Sequence, residues 1–333
     1  MVLSLYPAPY RAELYEYFFK EFEVNVFFES DRGDGRNQDW FTKGNYQFLD
    51  TEKGVAYYKR AIQNLQEYQL VVLYEYSSKA AMKLIAKSKR KKIPYVINCD
   101  GVILPHRKKF LKDIVKRWLL SKAAAYMASG EHAKEYFLRY GAKEEKIYIH
   151  HFSTLHENDI LSTPIMREEK IALRKKLGLP IDKKIAIAVG RFIPLKRYDY
   201  LLRAWKSVDE KCCLVLIGGG EELEKYQSTI QEQRKDLKQV HMYPLQPYER
   251  VSEVYSLGDA SVVACKAGTG GNALPSKTWS IMACGKPVLV CFDKDTMLER
   301  LAVEQECGLF AEAENAQALS ANILLLSRDK AKC

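Results

Sequence analysis

Three loops in the second half of the chain hold the residue types best suited to chemistry. In VGRFIPLKRYDYLL, 189–202, an apolar run ends at Gly190, Arg191 follows at once, and Lys196 comes five residues later, ahead of a helical pattern. An arginine fork beside a lysine point charge, both at a strand tip, could clamp two linked phosphates. In LIGGGEELEKY, 216–226, the glycines 218–220 again separate a strand pattern from a helix pattern, with Glu221 and Glu222 in the first predicted helical turn. Carboxylates there complement the helix dipole. In AGTGGNALPSKTWSIMACGKPVLV, 267–290, Gly268, Gly270 and Gly271 follow the strand-like run ASVVAC, and Pro275 leads into a short helical stretch, 276–283, closed by Gly285. Glycine lets backbone N–H groups crowd an anion without Cβ clashes, and a helix start adds unpaired N–H groups. The predicted ligand carries phosphate and lies between Gly268 and Lys277. Each loop alone has a plainer reading as a solvated loop or a tight strand-to-helix turn. Three at one sheet edge favour a shared anion site.

The elements that must position these loops follow from hydrophobic periodicity. Short apolar runs such as VNVFF, LVVLY and PYVINC alternate with helical patterns through 1–149, and the alternation restarts at 171 and continues to 327. Strands separated by helices imply parallel sheets covered on both faces. The stretch 151–169 breaks the rhythm. The expected architecture is α/β: two doubly wound, Rossmann-like parallel-sheet domains facing a central cleft, with ligands at the carboxyl ends of the strands. The first domain is placed at 1–152, a linker at 153–170 and the second domain at 171–333.

Composition narrows the class. The chain has 333 residues, 47% of them hydrophobic, which suits two cores. No run is long enough to span a bilayer, and prolines at 7 and 9 interrupt any early apolar targeting segment, so a cytoplasmic protein is expected. The eight cysteines form no CxxC pair and the six histidines have no metal-ligand spacing, so free thiols and no metal site are expected. A net charge of +10 points to an anionic partner: a phosphorylated metabolite, an acidic membrane surface or nucleic acid. No nucleic-acid-binding motif accompanies the basic stretches, which sets nucleic acid aside.

The second half resembles the donor-binding domain of the GT-B glycosyltransferases, family 4 of the retaining enzymes. The likeness lies in VGRFIPLKRYDYLLRAW, LVLIGGGEELEKY, PLQPYERVSEVYSLGDASVVAC and LPSKTWSIMACGKPVLV; SLYPAPYR, INCDG and 128–151 match more loosely in the first half. The resemblance implies a metal-independent enzyme that takes a sugar from a UDP- or GDP-linked donor, with no other cofactor. By it, Arg191 and Lys196 neutralise the donor diphosphate. Gly190, Gly268, Thr269, Gly270, Gly271, Asn272, Ser276 and Lys277 surround the sugar and phosphates, and Gly219, Pro244, Leu245 and Ser280 meet the nucleoside. The family often carries two glutamates eight positions apart, where this chain has Asn272 and Ser280. The departing phosphate would help deprotonate the acceptor, so no strong protein nucleophile is required.

The acceptor side is expected in the first half. Asp100, at the end of PYVINC, is a candidate for orienting a hydroxyl and is grouped with Arg191 and Lys196 as catalytic; it also reads as an Asp-Gly turn residue. Tyr10, Arg11 and His106 are further candidates. The stretch 106–122 carries seven Lys or Arg and one acid behind an apolar stripe. It reads as a core-facing helix with a solvated basic back, or as a surface that meets anionic lipid. The functional expectation is sugar transfer to a glycan or lipid-linked acceptor in bacterial surface polysaccharide synthesis. The alternatives are a catalytically weakened nucleotide-sugar-binding scaffold and a nucleotide-sugar epimerase of the same fold.

Overall fold

The computed structural model describes residues 1–31, 33, 41, 44–74, 76–100, 110–150, 155, 160–161, 163, 165–237, 239–246, 250–269 and 275–328. The chain divides into two units, Met1–Phe152 and Ser153–Cys333.

In the first unit the strands are β1 (Val2–Ser4), β2 (Val26–Phe28), β3 (Gln47–Phe48), β4 (Val71–Leu73), β5 (Tyr95–Cys99), β6 (Ala125–Ala128) and β7 (Ile147–Ile149). They pair in parallel in the order β3-β2-β1-β4-β5-β6-β7. Helices α1 (Pro9–Glu21), α2 (Glu52–Gln63), α3 (Lys79–Lys91), α4 (Phe110–Leu120) and α5 (Glu131–Arg139) connect them. Strand side chains alternate between faces, so β1 and β2 feed two cores. Leu3 and Phe27 pack with Leu84, Ile85 and Phe137, while Val2, Val26 and Phe28 pack with Tyr15 of α1.

The second unit holds α6 (Arg167–Lys176), β8 (Lys184–Val189), α7 (Tyr198–Trp205), β9 (Cys212–Ile217), α8 (Leu223–Glu232), β10 (Val240–Tyr243), α9 (Val251–Leu257), β11 (Ala260–Ala264), α10 (Lys277–Ala283), β12 (Val288–Phe292), α11 (Met297–Glu304), β13 (Gly308–Glu312) and α12 (Ala316–Arg328). Its parallel sheet runs β10-β9-β8-β11-β12-β13. Ala186, Ala188, Leu214 and Leu216 face one core with Trp205 and Ile323, and Ile185, Ile187, Val215 and Ile217 face another with Val254 and Leu257. At the amino edge, Asp259 takes hydrogen bonds from Lys170 (2.6 Å), from the buried Arg174 (2.9 Å) and from the Ile185 N–H (2.8 Å). That cluster ties α6 to β8.

Several element boundaries differ from the sequence expectation. α1 begins at Pro9, so Tyr10 and Arg11 lie in its first turn. Proline is tolerated at that position because its missing N–H has no intrahelical partner anyway. α3 runs to Lys91 and carries the basic residues of KSKRKK, 87–92, on its last turns; Lys92 closes it in the left-handed region (φ 58°). α6 starts at Arg167, inside the stretch assigned to the linker, where the Glu169 carboxylate accepts the Met166 N–H at 3.3 Å. Glu221 and Glu222 precede α8, and Glu222 instead accepts the Tyr226 hydroxyl at 2.6 Å. None of the seven cysteines among the described residues is in a disulfide.

Candidate functional site

β8 lies between β9 and β11, so the strand order of the second sheet reverses at the gap between β8 and β11. In parallel sheets such a point, at the carboxyl ends of the strands, opens a crevice for ligands. The 190–196 loop leaves β8 there, and the 265–269 segment leaves β11. The two are joined by the Lys266 N–H, which donates to the Leu195 carbonyl at 2.8 Å.

Phe192 fixes the first loop. It is fully buried and meets Tyr198 and Tyr226 edge-on, with centroids 5.3 and 5.9 Å away. Its N–H donates to the Gly219 carbonyl at 2.8 Å, and its own carbonyl accepts the Glu222 N–H at 2.9 Å. The three glycines have separate duties. A Cβ on Gly218 would sit 1.9 Å from the Gly190 carbonyl oxygen, and one on Gly220 would sit 2.6 Å from the Phe192 oxygen. Both are therefore needed for close backbone approach. Gly219 has open space where its Cβ would be. It alone of the three faces room for a ligand.

Arg191 and Lys196 are both half-buried, and among the described residues neither side chain has a hydrogen bond or an acidic partner. Burial pulls Lys196 below the usual lysine range; Cys265 opposes the shift and Arg191 adds to it. Lys277, the first residue of α10, donates from Nζ to the Val189 carbonyl, and Nζ lies 2.6 Å from where a Cβ on Gly190 would be. Burial, then Lys196, then Arg191 pull its pKa down to about 7. Three basic side chains thus share one strand tip. Arg197, next in sequence to Lys196, is the opposite case. Its fork grips both oxygens of Asp199 at 3.0 Å and also reaches Glu314. A buried charge without a partner is costly, so a fold tolerates it chiefly where a ligand supplies the counter-charge.

The third loop corrects one expectation. The N–H groups of Ala267, Gly268 and Thr269 are already given to Glu314 (3.3 Å), Asp293 (2.8 Å) and the Lys266 carbonyl (3.1 Å). Gly268 has φ +74°, which suits glycine. In this part of the loop the backbone donors are therefore already engaged. Ser276 is exposed ahead of α10, which has no side-chain cap and only seven residues, so its dipole adds little. Ser280 is buried on α10. Pro244 and Leu245 are exposed beyond β10, at the same carboxyl edge. Gly270, Gly271 and Asn272 lie outside the described residues, as does His106.

In the first unit the structure brings Arg11 and Asp100 together. The Arg11 guanidinium pairs with one Asp100 oxygen, and the Asn98 amide donates to the other. Arg11 is buried and lies over the Tyr74 ring, 4.0 Å from its centroid. Tyr10 is half-buried beside it, 5.6 Å from ring centroid to guanidinium carbon. Sequence reasoning named both ends of this pair but missed Asn98 and Tyr74, and in the second unit it missed Phe192, Asp293 and Glu314. The two acids were visible as carboxylates just beyond β12 and β13. Among the described residues no group of three or more His, Cys, Asp or Glu could hold a metal ion.

Residues 169–333 match the family described as glycosyl transferases group 1. An Escherichia coli protein that carries the name of a colanic acid biosynthesis glycosyl transferase, WcaI, is 27% identical over 154 residues, 46% of this chain and 37% of its own length. A Corynebacterium glutamicum protein named as a GDP-mannose-dependent monoacylated alpha-(1-6)-phosphatidylinositol monomannoside mannosyltransferase is 30% identical over 135 residues, 38% of this chain and 34% of its own. The chain therefore spans little more than a third of the length of the curated relatives it matches. Among solved structures, Anabaena HepE in complex with UDP-glucose superposes with a TM-score of 0.72 at 16% identity, covering 100% of this chain and 91% of HepE. WaaG, a glycosyltransferase involved in lipopolysaccharide biosynthesis, gives 0.67 at 16% identity, covering 99% and 91%. These two likenesses are of fold. The second unit thus carries the match to the glycosyl transferases group 1 family, and the chain has the two parallel doubly wound sheets of the GT-B fold.

Proposed function

We propose that the protein is a retaining glycosyltransferase that moves a sugar from a nucleotide-diphosphate donor to a glycan or lipid-linked acceptor in surface polysaccharide synthesis. The observation that carries this reading is the pair Arg191 and Lys196, which stand at the switch point of the second sheet without an acidic partner among the described residues. The diphosphate lies on these two cations. The nucleoside extends along the same edge past Gly219 towards Pro244 and Leu245, in the order of β8, β9 and β10.

As the bond between the sugar and its phosphate oxygen breaks, negative charge builds on the leaving diphosphate. Cations already in place stabilise that charge more than the ground state. The acceptor hydroxyl adds on the same face, and its proton passes to the departing phosphate. Asp100, held by Arg11 and Asn98, orients the acceptor from the first unit, with Tyr10 beside it.

The acceptor is presented at an anionic membrane surface. Ile114, Val115 and Trp118 of α4 are each about half exposed, and Lys89 lies 4.1 Å from the Trp118 ring centroid. No helix among the described residues is long and apolar enough to cross a membrane. Surface attachment through an apolar patch with basic neighbours fits both facts. The proposed location is the inner face of the cell membrane.

Incubation with UDP- and GDP-sugars tests the proposal. Release of nucleoside diphosphate is expected with one donor class, and Arg191→Ala or Lys196→Ala should each lower kcat by roughly 10²–10³. Full turnover in either variant would remove the assignment.

A further inference from the structure

We propose that Lys277 is a proton-linked third ligand of the donor diphosphate: a bound diphosphate draws a proton onto Nζ, completing a three-cation clamp with Arg191 and Lys196. The proposal rests on the donor-site reading above and deepens it.

The geometry comes first. Lys277 reaches from α10 to the tip of β8, where Nζ donates to the Val189 carbonyl over Gly190. A neutral amine and an ammonium can both make that bond, so Nζ is held in place in either state. The two residues that follow the strand tip, Arg191 and Lys196, act on it as like charges.

Among the described residues no counter-charge answers them. From α7 comes only the Tyr198 hydroxyl, 3.0 Å from the same Cβ position on Gly190. At the end of β11 stands the Cys265 thiol, pushed up to about 12 by burial and therefore neutral. Asp293, beyond β12, accepts the Gly268 N–H, and Glu314, beyond β13, is paired with Arg197. On α9, packed against α10, Glu253 is held by Arg250 at 2.7 Å. The stretch 267–276 contains no titratable side chain at all. Burial and two neighbouring cations bring Lys277 to about 7 for this reason.

A diphosphate reverses the balance. It supplies negative charge to all three cations and favours the ammonium form of Lys277. The proton comes from solvent on binding and returns to it when the product leaves. Affinity must then fall as pH rises above about 7, because the bound state holds one more proton than the empty one. The expected slope is about tenfold in Kd per pH unit until the bound-state pKa is passed.

Calorimetric titration of the full chain with UDP and with GDP tests this, at about pH 8 in two buffers of different ionisation enthalpy. Both nucleotides are fully ionised there, so an uptake close to one proton per bound nucleotide reports on the protein. Lys277→Arg, which keeps a charge that does not titrate, and Lys277→Met, which has none, should both lose the uptake. Lys277→Met should also bind with the same Kd from about pH 7.5 to 9. Nucleotide binding by the unaltered protein without proton uptake overturns the inference and leaves the donor site standing. Uptake that persists in both variants overturns it equally. Failure of both nucleotides to bind even at about pH 6.5 overturns the donor-site reading, and this proposal with it.

Discussion

Each unit places an arginine at the carboxyl edge of a parallel sheet, beside the strand where the order reverses, yet the two arginines meet different surroundings. Arg11 is paired with Asp100 and covered by Tyr74. Arg191 has no such partner among the described residues, and it stands with Lys196 and Lys277. One edge closes its charge within the protein. The other leaves two cations and a buried lysine amine without a counter-charge among the described residues. The same topology thus yields a closed ion pair in the first unit and a cluster of basic side chains in the second. What distinguishes them is where acids fall, not the fold.

Stability measurements can break this contrast. Asp100→Ala strands a buried guanidinium and should cost about 2 kcal/mol, below the 3–5 typical of fully buried pairs because Asp100 itself is partly exposed. Arg191→Ala removes a side chain without a partner and should change stability by less than about 0.5 kcal/mol. Denaturant unfolding of both variants gives the comparison; a similar loss in each would erase the distinction between the two edges.

A smaller effect sharpens it. The lowered pKa of Lys277 means that the unfolded chain holds more protons than the folded one from about pH 7 up to the ordinary lysine range. Stability of the ligand-free protein therefore rises with pH across that window. Burial lowers Lys89 and Lys286 to about 8, and they add to the same slope. Lys277→Met should make the rise shallower by about 1–2 kcal/mol, a figure reduced from the full shift because the side chain is only half-buried. Melting curves at about pH 6 and pH 9 would show the variant gaining on the parent at the acid end.

Much of this was legible in the chain itself. The apolar runs 184–189 and 260–264 show their burial and their ends, so Arg191 and Gly268 could be placed at strand tips before any coordinates. The pairings were not legible, because they join residues far apart: Lys277 to Val189 across 88 positions, and Arg197 to Glu314 across 117. Periodicity reports which face is buried, not which distant side chain meets it. β3 was missed because two residues, Gln47 and Phe48, carry no period. α11 was missed although Thr296 caps it by accepting the Glu299 N–H. The start of α6 is polar throughout its first turn, which hides it from any hydrophobic pattern. In the glycine loop, the sequence offered free N–H groups where Asp293 and Glu314 already take them.

Titration of UDP, GDP and inorganic pyrophosphate into the unaltered protein and into the Arg191→Ala/Lys196→Ala double variant, at low and high salt, tests the central claim most directly. The open cations predict salt-sensitive binding of at least one nucleotide, weakened more than about a hundredfold in the double variant while its circular dichroism is unchanged. Equal affinity in the two proteins would contradict it.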